Sequence, residues 1–306
     1  MGKKRVYVAG RVVELMNSRK IVFPDDGITR GDVVDYYRRL ASMILPHLQD
    51  RPLVLEFFPD GLDYPSIWQK EITDDFPEWI MRVSVPLGRQ TVVECVCDEP
   101  ATLIWLVDQG SITFYPWLSR IDLPNHPDRL IFDLEPPGDR FDLLVSAARE
   151  LRDFLEQFNL SVYAMSTGTH GLYVVVPLDC SEAFDSVNEF ANDVVRVIAS
   201  ENPDLVTIEP QRELRGERVF IDTSRNAYGQ MMIAPYSVRA VPGAPVARPV
   251  FWRELDDPSF NPKLYGMKNV SYWLDPRSDP WSGMVRRARS LREPKQSIGG
   301  ILAHTR

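Results

Sequence analysis

Cysteine is scarce in this chain, with three among 306 residues, and histidine nearly as scarce, with four. Three thiols cannot build a disulfide framework. Cys95-Val96-Cys97 puts two sulfurs on one face of an expected strand, but no second pair completes a zinc site. Cys95, Cys97 and Cys180 therefore read as plain thiols of a reducing compartment. No apolar run reaches the ~18 residues of a membrane span, and the opening MGKKRVYVAG has no apolar signal core. No membrane is expected, and a cytoplasmic place, at a prokaryotic nucleoid, is. The chain also lacks net positive charge: 35 basic against 43 acidic side chains give −8. With 44% hydrophobic and 25% charged residues the composition is that of a folded globular chain, not a disordered one.

A net charge of −8 speaks against a polyanion partner, but its distribution does not. Lys3, Lys4, Arg5, Arg11, Arg19 and Lys20 face only Glu14 within residues 1–20. Arg286, Arg287, Arg289, Arg292, Lys295 and Arg306 face only Glu293 near the end, and Arg212, Arg215 and Arg218 form a third cluster. Fields are screened within about 10 Å, so locally basic surfaces can hold a polyanion on an acidic chain. Solvated basic ends remain the plain alternative.

Apolar spacing predicts helices over 32–48 (with Asp32 as cap), 141–158 and 182–200. Short apolar runs predict strands at 53–58, 91–97, 130–135, 161–165, 172–177, 219–222 and 231–234. Residues 130–234 thus read β-α-β-β-α-(β)-β-β, close to a ferredoxin-like or RNA-recognition-type α+β unit. Prolines crowd the stretch PYSVRAVPGAPVARP after 235, which predicts a long ordered loop.

Three segments carry chemistry. In Arg129-Leu-Ile-Phe-Asp133-Leu-Glu135, alternation turns Leu130, Phe132 and Leu134 to the core and both acids to the other face, about 6.6 Å apart. Two such carboxylates can grip a hard cation, although an amphipathic strand with a wet face, or a glycosidase pair, would look the same. Val219-Phe-Ile-Asp222 supplies a third acid at the end of another strand, and three carboxylates from two strands suit two-metal phosphoryl transfer. Between strands lies Ser166-Thr-Gly-Thr-His170-Gly171, whose glycines and hydroxyls could cradle an anion, or could simply turn the chain.

Taken in order, F-D-L-E-P, S-T-G-T-H-G-L-Y, V-F-I-D-T-S-R-N and A-P-Y-S-V-R resemble the polymerase domain of bacterial ligase D, the end-joining branch of the archaeo-eukaryotic primase superfamily. N-S-R-K-I-V-F-P, G-I-T-R-G-D-V-V-D-Y-Y, Gln69-Lys70 and A-T-L-I-W-L extend the resemblance over about residues 11–260. It implies a primase-like α+β fold, an RRM-like mixed-sheet module with an N-terminal α/β module. The expected organisation is one domain over 1–300: an N-terminal module over about 1–128, an RRM-like catalytic module over about 129–240 and a C-terminal loop and helix section over about 241–306.

By position, the resemblance makes Asp133, Glu135 and Asp222 catalytic carboxylates that hold two Mn²⁺ or Mg²⁺ ions, Glu135 standing where aspartate is common. It makes Thr167, Thr169, His170, Tyr173 and Arg239 nucleotide-binding residues, with His170 where lysine and Tyr173 where histidine is usual. Lys20 matches, and Arg30 replaces, a basic pair that grips a downstream 5′-phosphate, while Trp68 and Lys70 fall at a base-stacking and DNA-contacting segment. The implied activity is template-directed gap filling with NTP or dNTP, favouring ribonucleotides, at double-strand breaks. No ligase or nuclease motif follows residue 300, so Ku and a separate DNA ligase are the expected partners. A primase, or a non-catalytic 5′-phosphate end-bridging adaptor, are the alternatives.

Overall fold

The computed structural model describes residues 4–274 and 278–304; Lys3 and Arg306 of the basic ends lie outside the described residues. The chain forms two compact units that interleave in sequence. The first comprises the described residues up to Trp117, Met231–Ala247 and those from Tyr265 to 274; the second comprises Leu118–Gln230, Arg248–Leu264 and those from 278 on. The expected boundaries at 128/129 and 240/241 therefore do not coincide with the units.

The first unit opens with β1 (Lys4–Val8) and β2 (Arg11–Leu15), an antiparallel hairpin. Its Ala9-Gly10 turn has φ of 45° and 87°, the left-handed pair that matches strand twist. A second hairpin, β3 (Ile21–Phe23) and β4 (Ile28–Thr29), runs into α1 (Arg30–Leu48). The cap is Thr29, three residues before the start expected from Asp32. Thr29 accepts from the Asp32 amide, and the Asp32 side chain accepts from the Thr29 amide, so two orphan donors of the first turn are satisfied together. The expected stripe of Val34, Tyr37, Ala41, Ile44 and Leu48 is buried.

A five-stranded antiparallel sheet follows, built from β5 (Pro52–Phe57), β6 (Ile67–Gln69), β7 (Met81–Leu87), β8 (Gln90–Val96) and, after α2 (Pro100–Gln109), β9 (Ser111–Pro116). β5 pairs with β6, β8 and β9. Cys95 and Cys97 are buried thiols, as expected, and burial pushes the Cys95 thiol up to about 12.

The strand expected at 231–234 is absent. Met231 forms only a bridge to Trp117, and the Met232 and Ala234 amides donate to the Pro116 and Phe114 carbonyls at 3.1 and 2.9 Å. Pro235 has no amide with which to continue such a ladder. These bonds, with Tyr36 Oη to the Tyr236 carbonyl and Thr113 Oγ1 to the Val238 carbonyl, are why 231–247 joins the first unit.

Glu94 of β8 is fully buried, and burial raises its pKa to about 7 against the pull of Lys70 and Trp117. A raised carboxyl pKa means stability is fully present below the ordinary value near 4.5 and is lost as pH rises through 7. The shift corresponds to about 3 kcal/mol. Glu94→Gln is expected to abolish most of this fall between pH 5 and pH 8, read as urea midpoints; an unchanged pH dependence would discount Glu94 as its source.

In the second unit β10 (Arg129–Glu135), α3 (Phe141–Glu156), β11 (Tyr163–Ser166), β12 (Leu172–Pro177), α4 (Phe184–Glu201), β13 (Val206–Thr207) and β14 (Val219–Asp222) follow the expected order. Their sheet runs β13-β14-β10-β12-β11 and ends on β15 (Arg248–Val250), which pairs with β11 where the sequence offered 231–234 as the last strand. All pairings are antiparallel except β13–β14. On α3, Leu144, Ala148, Leu151 and Leu155 are buried as the 3.6-residue period predicts, each leucine contributing about 2 kcal/mol. Among the described residues no helix is long and apolar enough to cross a membrane.

Candidate active site

β10 is the pivot of the second unit. With β12 on one side, β14 on the other and both α3 and α4 packed against it, even its polar positions are enclosed: Asp133 is only 6% exposed. The amphipathic strand with a wet face is thereby overturned; only Glu135, at the strand end, is exposed. β14 reaches only from Asp222 to Phe220 along β10, opposite Asp133 to Glu135. Beyond it the Asn226 side chain takes over, accepting from the Ile131 amide at 2.9 Å and donating to the Ile131 carbonyl at 2.7 Å.

This register sets three side chains in a row across the sheet. Tyr173 of β12, Asp133 of β10 and Asp222 of β14 are direct antiparallel neighbours. Directly opposed residues point to one face with Cβ atoms about 5 Å apart, so the Asp133 and Asp222 carboxylates are brought together. Burial foremost, then the charges of Glu135 and Asp222, push the Asp133 pKa up to about 6 against the pull of Arg225.

Two arginines hold the acids. Arg225 Nε donates to Asp133 Oδ2 at 2.7 Å, its guanidinium 5.4 Å from the Tyr173 ring centroid. Arg215 donates to Glu135 Oε2 at 2.7 Å while its guanidinium covers the Phe220 ring at 3.8 Å. Asp222 accepts from the Ser224 amide and hydroxyl at 2.8 and 3.0 Å. Among the described residues no three His, Cys, Asp or Glu side chains converge as ready metal ligands. The donors nevertheless fit a hard cation: carboxylate oxygens only, two in direct register, one of them held partly toward its neutral form by burial and then by its acidic neighbours.

The Ser166–Gly171 turn abuts this row. A Cβ on Gly171 would lie 2.8 Å from the Leu134 carbonyl and 3.5 Å from both Asp133 Oδ1 and Thr167 Cγ2, so only glycine lets the turn press this close to the β10 backbone beside the carboxylate. Thr167 Oγ1 accepts from the Gly171 amide at 3.1 Å and donates to the Gly171 carbonyl at 3.0 Å, closing the turn on itself. Thr169 and His170 stand at its tip, and His170 is exposed. Tyr173 corrects one expectation. Its side chain is fully buried, a wall beneath Arg225 rather than an open donor to a ligand.

The remaining nominated residues belong to the first unit. Trp68 is 55% exposed on β6, and its ring lies 5.0 Å from that of Tyr115 on β9. Tyr115 Oη donates to Glu56 at 3.1 Å; burial raises its pKa to about 12, while the half-buried Arg239 acts in the opposite direction. Trp68, Tyr115 and Arg239 therefore share a neighbourhood. Lys70 is exposed and near enough to Glu94 to lower its pKa.

Lys20 and Arg30 do meet across the β3–β4 hairpin, the Arg30 amide donating to the Lys20 carbonyl at 2.8 Å. Their cations diverge. Lys20 Nζ pairs with Asp60 at 2.6 Å, partly exposed, whereas Arg30 is buried, with its guanidinium donating to the carbonyls of Asp108, Phe58 and Pro59 at 2.9, 3.1 and 2.9 Å. The expected compact pair of solvent-facing cations does not form, because Arg30 sits in the first turn of α1 facing the loop after β5 and the end of α2.

Arg225 and Tyr115 were not nominated from the sequence. Arg225 lies inside V-F-I-D-T-S-R-N, three residues after Asp222, and that proximity was the available signal. Tyr115 had none beyond alternation along β9.

A family model described as the LigD primase-polymerase domain matches residues 29–281. The multifunctional non-homologous end joining protein LigD of Mycobacterium bovis is 31% identical over 263 residues, which are 83% of this chain and 34% of that protein. The bifunctional non-homologous end joining protein LigD of Bacillus subtilis is 27% identical over 88% of this chain and 46% of its own length. The chain thus spans about a third to a half of these relatives. Among solved structures, the polymerase domain of Mycobacterium tuberculosis ligase D in complex with DNA is similar, with a TM-score of 0.85 at 29% identity, covering 90% of this chain and 99% of that one.

Proposed function

Because the chain belongs to the LigD primase-polymerase domain family, with its primase-like α+β fold, it is a nucleotidyltransferase, and we propose that it fills short gaps and extends broken DNA ends during non-homologous end joining. The observation that carries this reading is the direct opposition of Asp133 and Asp222 beside a turn that only Gly171 allows so close. Residues 1–300 would act as one polymerase domain.

Asp133, Asp222 and, once Arg215 releases it, Glu135 would hold two divalent cations, Mn²⁺ or Mg²⁺. When bound, such ions offset phosphate charge and make the primer 3′-hydroxyl a better nucleophile. Arg225, paired with Asp133 without them, is then free to turn its donors to a phosphate oxygen. Thr169 and His170 would bind the incoming nucleotide together with the Thr167 turn and Arg239. Trp68, backed by Tyr115, would stack on a template base, and Lys70 would contact the DNA backbone. Lys20, rather than a pair with Arg30, would meet the downstream 5′-phosphate by exchanging Asp60 for it. NTPs and dNTPs would be the substrates, ribonucleotides the preferred ones, with Ku and a DNA ligase activity as partners in the prokaryotic nucleoid.

Primer extension on gapped DNA tests the reading. With Mn²⁺ or Mg²⁺ present, a 5′-phosphate across the gap should raise extension several-fold over a 5′-hydroxyl, and Lys20→Ala should remove that advantage. Synthesis without any primer, indifferent to the 5′ group, would move the chain to the primase alternative. Binding of ends without any extension would leave the adaptor.

A further inference from the structure

The turn after β11 has a neighbour that the sequence motif does not contain. Ser166 Oγ donates to the Pro262 carbonyl at 2.7 Å and accepts from the Gly168 amide at 3.1 Å, so one hydroxyl joins the turn to the loop at 261–264. The next residue on that loop is Lys263, whose amide donates to Asn261 Oδ1 at 2.8 Å. Its side chain is exposed, and Nζ lies 3.0 Å from His170 Nε2. An ammonium has donors only, so Nζ donates and the imidazole accepts, carrying its own proton on Nδ1. His170 is neutral in that arrangement, and the positive charge at the turn belongs to Lys263. Asp139, 3.8 Å from the same Nε2, is the carboxylate facing the pair.

The rest of the tip is also donor-rich. Among the described residues, no acceptor receives the backbone amides of Thr169 or His170, and Thr169 adds a hydroxyl 3.3 Å from that of Thr167. Two amides, a hydroxyl and an ammonium at one exposed point match an anion with several oxygens.

We propose that Lys263 is a nucleotide-binding residue that supplies the permanent positive charge for the triphosphate at this turn, with His170 holding its ammonium in place. This rests on the reading of Ser166–Gly171 as the triphosphate turn. Lys263 lies 93 residues from His170, which is why the motif alone shows a histidine and no lysine.

Calorimetric titration with ATP and with AMP at fixed Mg²⁺, alongside anisotropy titration of labelled gapped DNA, tests it. The native chain should bind ATP more tightly than AMP. Lys263→Met should lose about tenfold or more of the ATP affinity, the size of a charge-assisted hydrogen bond, with AMP and DNA affinities held within about twofold. Lys263→Arg should keep most of it, and adding His170→Lys to Lys263→Met should restore it. Equal ATP affinity in the native chain and Lys263→Met, or a loss seen equally on DNA, overturns the role of Lys263. A native chain that binds ATP no better than AMP overturns the triphosphate turn itself.

Discussion

Replacing Asp222 by alanine is expected to lower nucleotide addition by about a thousandfold, roughly 4 kcal/mol of transition-state stabilisation, while DNA affinity stays within about threefold. Asp222 is the cleaner of the two opposed acids, because among the described residues its carboxylate accepts only from Ser224, two residues on. Asp133 needs more care. It neutralises Arg225, and removing a carboxylate outright would leave a half-buried guanidinium without its counter-charge. Asp133→Asn keeps the shape and an acceptor for Arg225, so its equally large loss of extension would report on chemistry and not on folding. On the proposed reading DNA would be held by phosphate contacts made elsewhere, which is why the two properties should separate. Single-turnover extension of a gapped substrate, with anisotropy on the same DNA, measures both. Substantial extension by either variant removes the carboxylates from the catalytic role.

Arg30→Ala is expected to act on folding. Three carbonyl oxygens accept from this one guanidinium inside the first unit, and the buried Asp108 carboxylate draws on its charge. Their loss should cost about 3–5 kcal/mol, seen as a lower urea midpoint. Lysine offers a point charge where a planar fork serves three acceptors, so Arg30→Lys should recover only part. At temperatures well below melting, Arg30→Ala should leave discrimination of a 5′-phosphate nearer to native than Lys20→Ala does. Native stability with that discrimination lost would return Arg30 to the DNA-contacting set.

These two residues mark what the sequence could and could not reveal. Asp133 and Asp222 were legible because strand alternation and two short apolar runs nearly dictate their faces, and α3 and α4 because a leucine or phenylalanine stripe has one period. Arg30 shows only a charge in sequence; whether it turns out or in depends on carbonyls contributed 28 and 78 residues away. The Asp133–Arg225 pair spans 92 residues and was invisible for the same reason. Helix α2 went unread because burial takes in Ala101–Ile104 and Leu106–Asp108, which leaves no polar face to set a period. Helix Arg292–His304 falls within the loop and helix section expected over about 241–306, but its bounds had no apolar stripe to mark them: mostly polar, it buries Ile298 and ties Lys295 to Ser186 of α4. At 231–234 an apolar run looked like a strand, and Pro235 stopped the ladder before one could form.

The interleaving of the units bears on how the chain is made. When residue 117 leaves the ribosome, the Phe114 and Pro116 carbonyls have no Ala234 or Met232 amide to accept from, and the Tyr36 hydroxyl lacks its Tyr236 carbonyl. At roughly 5–20 residues per second, the 130 residues that separate Trp117 from Ala247 take on the order of ten seconds to appear. Through that interval the five-stranded sheet waits with the Phe114 and Pro116 carbonyls of β9 lacking their amide partners while most of the second unit is synthesised. The first unit, whose last segment begins only at Tyr265, therefore cannot finish folding until most of the second unit has been made.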